Sequence, residues 1–113
     1  MTYNYEMRNS VVLVLTTVQA EALGEEIARA LVTERLAACV NLGAPMISIY
    51  RWKENVERET ERQLVIKTTA DRVTAVQQRV RQLHSYELPE FLVIEISGGS
   101  DEYLNWVATG SHL

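Results

Sequence analysis

The 113-residue chain is 47% hydrophobic and 23% charged, the balance of one soluble globular domain, and its formal net charge of -4 argues against nucleic acid or anionic lipid as the main partner, since neutralising phosphates takes basic surface. No apolar run approaches the ~18–20 residues of a membrane-spanning helix, and the opening MTYNYEMRNS lacks the basic start and apolar core of a signal peptide, so a cytoplasmic location is expected. The single cysteine, Cys39, cannot close an intrachain disulfide, which fits a reducing compartment and leaves stability to packing and assembly.

After a polar start that is expected to fray, Val11 to Val18 (VVLVLTTV) is a β-branched run unbroken by charge, the pattern of a central strand covered on both faces. From Ala20 to Leu36, Leu23, Ile27 and Leu31 recur at helical spacing with Glu21, Glu25, Glu26, Arg29, Glu34 and Arg35 mostly elsewhere, which predicts an amphipathic helix on a sheet. Gly24 inside it is about 1 kcal/mol worse than alanine, a penalty usually accepted where a neighbour must approach closely. Cys39 to Lys53 reads as the first arm of a long β-hairpin, with a bend or bulge at Gly43-Ala44-Pro45. Glu54-Asn55 is the expected turn, because Asn tolerates the left-handed conformation of tight hairpins, and Val56 to Thr69 is the second arm. Asp71 to Leu83 repeats apolar residues at helical spacing behind Thr69 or Asp71 as cap, and Phe91 to Ile96 is a further strand. Gly98-Gly99 breaks that strand, Ser100 can cap a short last helix, and Gly110 to Leu113 is expected to be disordered.

The order β-α-β-β-α-β predicts an α+β, ferredoxin-like antiparallel sheet with both helices on one face, a long central β-hairpin and a short C-terminal helix. One such domain is expected over residues 1–113, with its core over about 10–108. Hairpin arms of ~14 residues at ~3.3 Å each reach ~45 Å, beyond the ~35 Å breadth of a compact domain of this length. Part of the ribbon should therefore protrude, carrying Met46, Ile47, Ile49, Tyr50 and Trp52, and the sheet face without helices should lie bare. Exposed apolar edges of this kind aggregate unless further copies of the chain cover them, so the chain reads as an obligate oligomer.

Candidate chemistry is sparse. A two-residue Glu54-Asn55 loop would set Trp52 opposite Glu57, Tyr50 opposite Glu59 and Ser48 opposite Glu61, giving one ribbon face that is either an acid-rimmed cation site or a solvated edge whose charge blocks strand addition. Cys39 and His84 are the soft or borderline metal-ligand types outside the tail; one chain cannot build a four-ligand zinc site from them, whereas copper can be held by fewer donors drawn from neighbouring subunits. The plainer readings are a buried small cysteine and a histidine at a helix C-terminus. Lys67, followed by Thr68-Thr69 at a helix start, could hold an anion or simply extend its ammonium to water. Nothing resembles a nucleophile elbow, a P-loop or a dinucleotide fingerprint, and a His84–Glu90 acid–base pair is a chance-level pattern, so an enzyme is not expected.

Five blocks taken together resemble the CutA family of divalent-cation tolerance proteins: Glu34-Arg35-Leu36-Ala37-Ala38-Cys39-Val40-Asn41, Ser48-Ile49-Tyr50-Arg51-Trp52, Lys67-Thr68-Thr69, His84-Ser85-Tyr86-Glu87-Leu88-Pro89-Glu90 and Tyr103-Leu104-Asn105-Trp106. The resemblance runs in order from about Val11 to Trp106. It implies a ferredoxin-like homotrimer whose hairpins extend onto neighbouring subunits, an architecture shared with the PII signal-transduction proteins. It also implies a role in tolerance to copper, as Cu(II) or Cu(I), or to another divalent cation not required for folding, and no enzymatic activity. Carried over by motif position, Cys39 and His84 would contact metal and Glu90 would lie near the cleft between subunits; the metal-binding reading adds carboxylates such as Glu90 or Glu59 near the subunit boundaries. Trp52, Lys67, Tyr86, Pro89, Tyr103 and Trp106 would lie near the cleft between subunits. The alternatives carried alongside are a PII-like regulator taking a small anionic effector or a partner protein in that cleft, and a trimeric anchoring protein without small-molecule chemistry. Gly43-Ala44-Pro45 stands where Pro-Gly is more usual, Asn55 where glycine is frequent, and Ser85 where proline is common.

Overall fold

The computed structural model describes residues 10–113. The expected frayed start falls outside the described residues. Strand β1 (Val11–Val18) is followed by helix α1 (Glu21–Thr33), strands β2 (Cys39–Leu42), β3 (Met46–Trp52) and β4 (Asn55–Thr69), a 3₁₀ turn at Ala70–Arg72, helix α2 (Val73–Leu83), strand β5 (Leu92–Glu95) and helix α3 (Asp101–Gly110). Helix α1 stops short of the expected Leu36 because Arg35 takes a left-handed φ of 58°, and the amides of Leu36 and Ala37 turn back onto the Leu31 carbonyl.

β4 is the spine. It pairs antiparallel with β1 from Val11↔Thr69 to Val18↔Arg62, with β2 from Cys39↔Lys67 to Leu42↔Leu64, and with β3 from Met46↔Glu61 to Trp52↔Asn55. β5 adds to the other side of β1, so the order β2-β4-β1-β5, with β3 continuing along β4, is the ferredoxin-like arrangement. Between Leu42↔Leu64 and Met46↔Glu61, the residues Gly43, Ala44 and Pro45 face only Arg62 and Gln63, so the expected bulge is present with one extra residue.

The bulge also decides where the ribbon turns. Pairing is fixed at the core end and offset by one, which brings the turn to Lys53 and Glu54, with φ of 48° and 74°, the geometry of a primed two-residue hairpin loop. The expected Glu54-Asn55 turn is therefore corrected: Asn55 pairs with Trp52, Tyr50 faces Glu57 and Ser48 faces Glu59. The register moves by two residues, an even slip, so the same side chains keep the same face.

On the helix-covered face, Val12, Val14 and Val18 of β1 and Leu64 and Ile66 of β4 pack against Ile27, Leu31, Val76 and Val80 as one buried cluster. Gly24 supports this packing, since a Cβ there would lie 2.8 Å from Leu42 Cδ1 and 3.1 Å from Val18 Cγ2. A bidentate contact from Arg79 to the Glu34 carboxylate, at 2.9–3.1 Å, ties α2 to the end of α1. The opposite face is not wholly bare: Leu104 and Val107 of α3 pack with Val11, Ala38 and Ile96 and cover one end. Leu13, Leu15 and Val65 remain half-buried in its middle, and Leu92 and Ile94 are 54% and 44% exposed at its edge.

The C-terminus is held rather than disordered. α3 runs through Gly110, Ser111 is fully buried, and His112 Nε2 lies 2.8 Å from Asp71 Oδ2 while Nδ1 lies 2.7 Å from the Ala108 carbonyl. The chain measures 50 × 26 × 23 Å with a radius of gyration of 14.9 Å, above the ~13 Å of a compact chain of about this length, because the ribbon projects.

Candidate functional site: two ends of one open sheet face

The antiparallel register puts Cys39 directly beside Lys67 on the face opposite α1 and α2. Ser100 caps α3 by accepting from the Tyr103 amide, which aims the first turn of α3 at this end of the face. Lys67 Nζ donates to Tyr103 Oη at 3.2 Å and lies 5.5 Å from its ring centroid, and Tyr103 stacks on Trp106 with centroids 5.4 Å apart. The bond to Tyr103 raises the Lys67 pKa against an opposing effect of burial, with smaller contributions from Tyr103 and Cys39. Tyr103 and Trp106 remain 44% and 51% exposed, so the first end is a cationic head on an aromatic floor, open to solvent, with the half-exposed Cys39 thiol at its side.

The second end lies at the root of the ribbon. His84 follows the last turn of α2, and there it accepts from the Tyr86 amide at Nδ1 (3.0 Å) while Nε2–H donates to the Thr17 carbonyl at 2.6 Å. Both ring nitrogens are thus occupied, and the ring orients the loop by stacking on Tyr86 with centroids 4.6 Å apart. Tyr86 Oη in turn donates to Glu61 Oε2 at 2.7 Å, and Glu61 is only 7% exposed. Burial, this bond and the Glu61 and Glu59 charges all push the Tyr86 pKa strongly upward. Burial, a bond to Glu59 and the surrounding carboxylates raise Tyr50 in the same direction. Glu90, beside them, is raised by burial and the Glu61 charge, against a bond with Gln63 that lowers it, and its Oε2 is buried without a partner. A shallow depression lined by Gln77, Val80, Arg81, Leu88, Pro89 and Phe91 adjoins this loop.

The residues singled out in the sequence therefore divide among three places. Lys67, Tyr103, Trp106 and Cys39 gather at the first end. Tyr86, His84, Glu59, Glu90 and Pro89 belong to the second. Trp52 lies at the ribbon tip beneath Lys53, whose Nζ is 5.5 Å from its ring. Cys39 pairs with Lys67, which pairs with Leu13 of β1, whereas His84 bonds Thr17, four strand residues or ~13 Å further along β1, so one chain does not bring the thiol to the imidazole. Among the described residues no three His, Cys, Asp or Glu side chains come together to hold a metal ion. Within one chain these donors do not fit a metal centre.

Sequence reasoning missed the burial of Glu61, the Tyr86 bond to it and the Thr69–Asp71–His112 contact at the C-terminus. The first had a faint signal in its place on the aromatic face of the ribbon; the last had none.

A ferredoxin-like sheet with a projecting ribbon, an open face and aromatic and acidic groups at that face's two ends is a PII-like fold. The profile of the CutA1 divalent ion tolerance protein family matches residues 12–110, and the chain belongs to that family. It is 44% identical over 95 residues to the divalent-cation tolerance protein CutA of Thermus thermophilus, covering 84% of this chain and 92% of that one. It is 42% identical to the protein CutA of Mus musculus over 87% of this chain but only 55% of that longer one. The solved structure of the PII-like protein CutA from Nostoc superposes with a TM-score of 0.83 at 42% identity, over 90% of this chain and 98% of that one.

Proposed function

We propose that the chain assembles as a cytosolic homotrimer and serves in divalent-metal tolerance by binding a cation, copper among them, at the boundaries between subunits. The carrying observation is the division of donors: Cys39 is half exposed at one end of the open face, and Glu90 keeps a buried oxygen without a partner at the other. One chain does not join them; in this reading the ends of two chains side by side do, and His84, in the same 84–90 loop as Glu90, adds an imidazole if it releases the Tyr86 amide. Thiolate and imidazole donors favour copper, and carboxylate extends the range to harder cations. The trimer is supported by the exposed ribbon, by the free outer edge of β5 and by kinship with the PII-like protein CutA of Nostoc. The cytosolic placement rests on the unpaired Cys39 thiol. The reading is of a binding protein and assigns no catalysis.

Calorimetric titration of the metal-stripped protein with Cu(II), and with Cu(I) under reductant, tests it. Binding weakened at least tenfold by Cys39→Ala or Glu90→Gln is the expected result; equal binding by both variants would remove these residues from the site. The Lys67–Tyr103–Trp106 end favours a second reading, in which the same trimer takes a small anionic effector. A thermal-shift screen of anions separates the two, because a ligand at 100 times its dissociation constant adds about 2.7 kcal/mol of stability.

A further inference from the structure

The chain's two histidines are held in opposite ways. His84 accepts at one ring nitrogen and donates at the other, so its neutral form meets both partners. The His112 ring instead meets two acceptors, with Nε2 2.8 Å from Asp71 Oδ2 and Nδ1 2.7 Å from the Ala108 carbonyl. A neutral imidazole carries one N–H and satisfies one of them; only the imidazolium donates to both. The carboxylate comes from the 3₁₀ turn, and β4 adds the Thr69 hydroxyl, which donates to Asp71 Oδ1 and lies 3.4 Å from Nε2. Burial works against the Asp71 charge, but the bonds with Thr69 and His112 outweigh it and keep the carboxylate ionised. Arg72, the next charged residue of that turn, points away to the Arg35 carbonyl.

What this contact fastens is α3. The helix follows an exposed, irregular stretch, residues 97–100, and is otherwise held at three points. Tyr103 accepts from Lys67 in the first turn, and Leu104 and Val107 sit with Val11 in a small apolar cluster apart from the main core. Gly110 presses so closely on the start of β2 that a Cβ there would lie 2.8 Å from Ala38 Cβ. Ala38 precedes Cys39 in the chain and Lys67 pairs with it across the strands, so α3 grips both neighbours of the thiol. An element with so little buried apolar surface opens at lower cost than the core strands.

We propose that α3 is a flap over the Cys39–Lys67 end, latched at its far end by the cationic form of His112. Histidine loses its charge between about pH 5 and 8, whereas a carboxylate keeps its own across that window. The latch is therefore fastened on the acid side; as pH rises, His112 gives up one of its two acceptors, the flap lifts more often, and Cys39 and Lys67 are uncovered. That this end takes a ligand rests on the function proposed above.

Hydrogen–deuterium exchange of the α3 amides in the metal-free full chain, corrected for the intrinsic effect of pH, reads the opening. In wild type it should rise about twofold or more, relative to α1, between about pH 6 and 8. His112→Gln, neutral at every pH, should exchange at the alkaline rate even at the acid end. Iodoacetamide labelling of Cys39, the sole cysteine, normalised to the unfolded chain at the same pH, should rise in step. Should His112→Gln not fold by circular dichroism, the wild-type pH series decides. Wild-type α3 exchange independent of pH, or His112→Gln matching wild type in acid, would overturn the latch, and constant Cys39 labelling while α3 opens would overturn the gating. Because no metal is added, calorimetry and exchange fail separately: absent cation binding strikes the function and not the latch.

Discussion

One strand, β4, serves two halves of the molecule that differ in how complete they are. From Leu64 to Thr69 its alternate side chains Leu64, Ile66 and Thr68 are fully buried under α1 and α2, and its open-face residues Val65 and Lys67 are half-covered. From Asn55 to Thr60 the same strand, paired only with β3, has no position that is buried. The inner half satisfies itself: Thr68 Oγ1 donates to the Leu36 carbonyl at 2.7 Å, and Thr69 bonds Asp71. The outer half leaves charges and apolar groups without partners. The difference puts the Gly43–Pro45 bulge between a half that one chain packs by itself and a half whose apolar side chains it leaves exposed.

Truncation on the two halves should therefore have opposite readouts. Ile66→Ala removes a fully buried side chain and should destabilise folding by about 2–5 kcal/mol in chemical denaturation, whereas Ile49→Ala should change the folding of the isolated subunit by under ~0.5 kcal/mol yet weaken assembly in dilution experiments. Equal effects on folding would erase the contrast. The join between the halves should be intermediate. Tyr86→Phe strands the buried Glu61 carboxylate by deleting its 2.7 Å bond and should cost about 1–3 kcal/mol, read as a shift in denaturation midpoint. A smaller effect marks the far end of the inner half. Burial works to raise the Asp71 pKa, but its bonds with Thr69 and His112 outweigh it and lower it. A lowered carboxylate pKa contributes stability that is present above the unfolded value near 3.9 and is lost as pH falls through the folded value. Because the Asp71 side chain is 63% exposed, solvent screening holds the gain to about 0.5 kcal/mol. Asp71→Asn should be less stable than wild type by that amount at pH 7, with the gap closing on acidification below pH 4; a gap that persists in acid would contradict the assignment.

Much of the inner half was legible in the sequence because it obeys local rules. The unbroken VVLVLTTV run, the helical spacing of Ile27, Leu31, Val76 and Val80, and the Gly43-Ala44-Pro45 interruption each announce their structure. The turn was not legible from Asn55, because its place is counted outward from the core pairing through the bulge, a long-range constraint that overrides local turn preference. Glu61 read as exposed because it alternates with charge, yet the 84–90 loop folds over it, a contact across 25 residues. The C-terminal clasp joins Asp71 to His112 across 41 residues and leaves no trace in local composition. For the candidate site, the motif residues could be picked out by resemblance, but their division between two ends of one face appears only once β4 is paired on both sides.

The central claim is that a single chain cannot cover its own ribbon and open face. Light scattering coupled to size exclusion, on the full chain diluted to the micromolar range and below, tests it most directly. The predicted result is one species of three times the chain mass; a stable species of single-chain mass across that range would contradict the account.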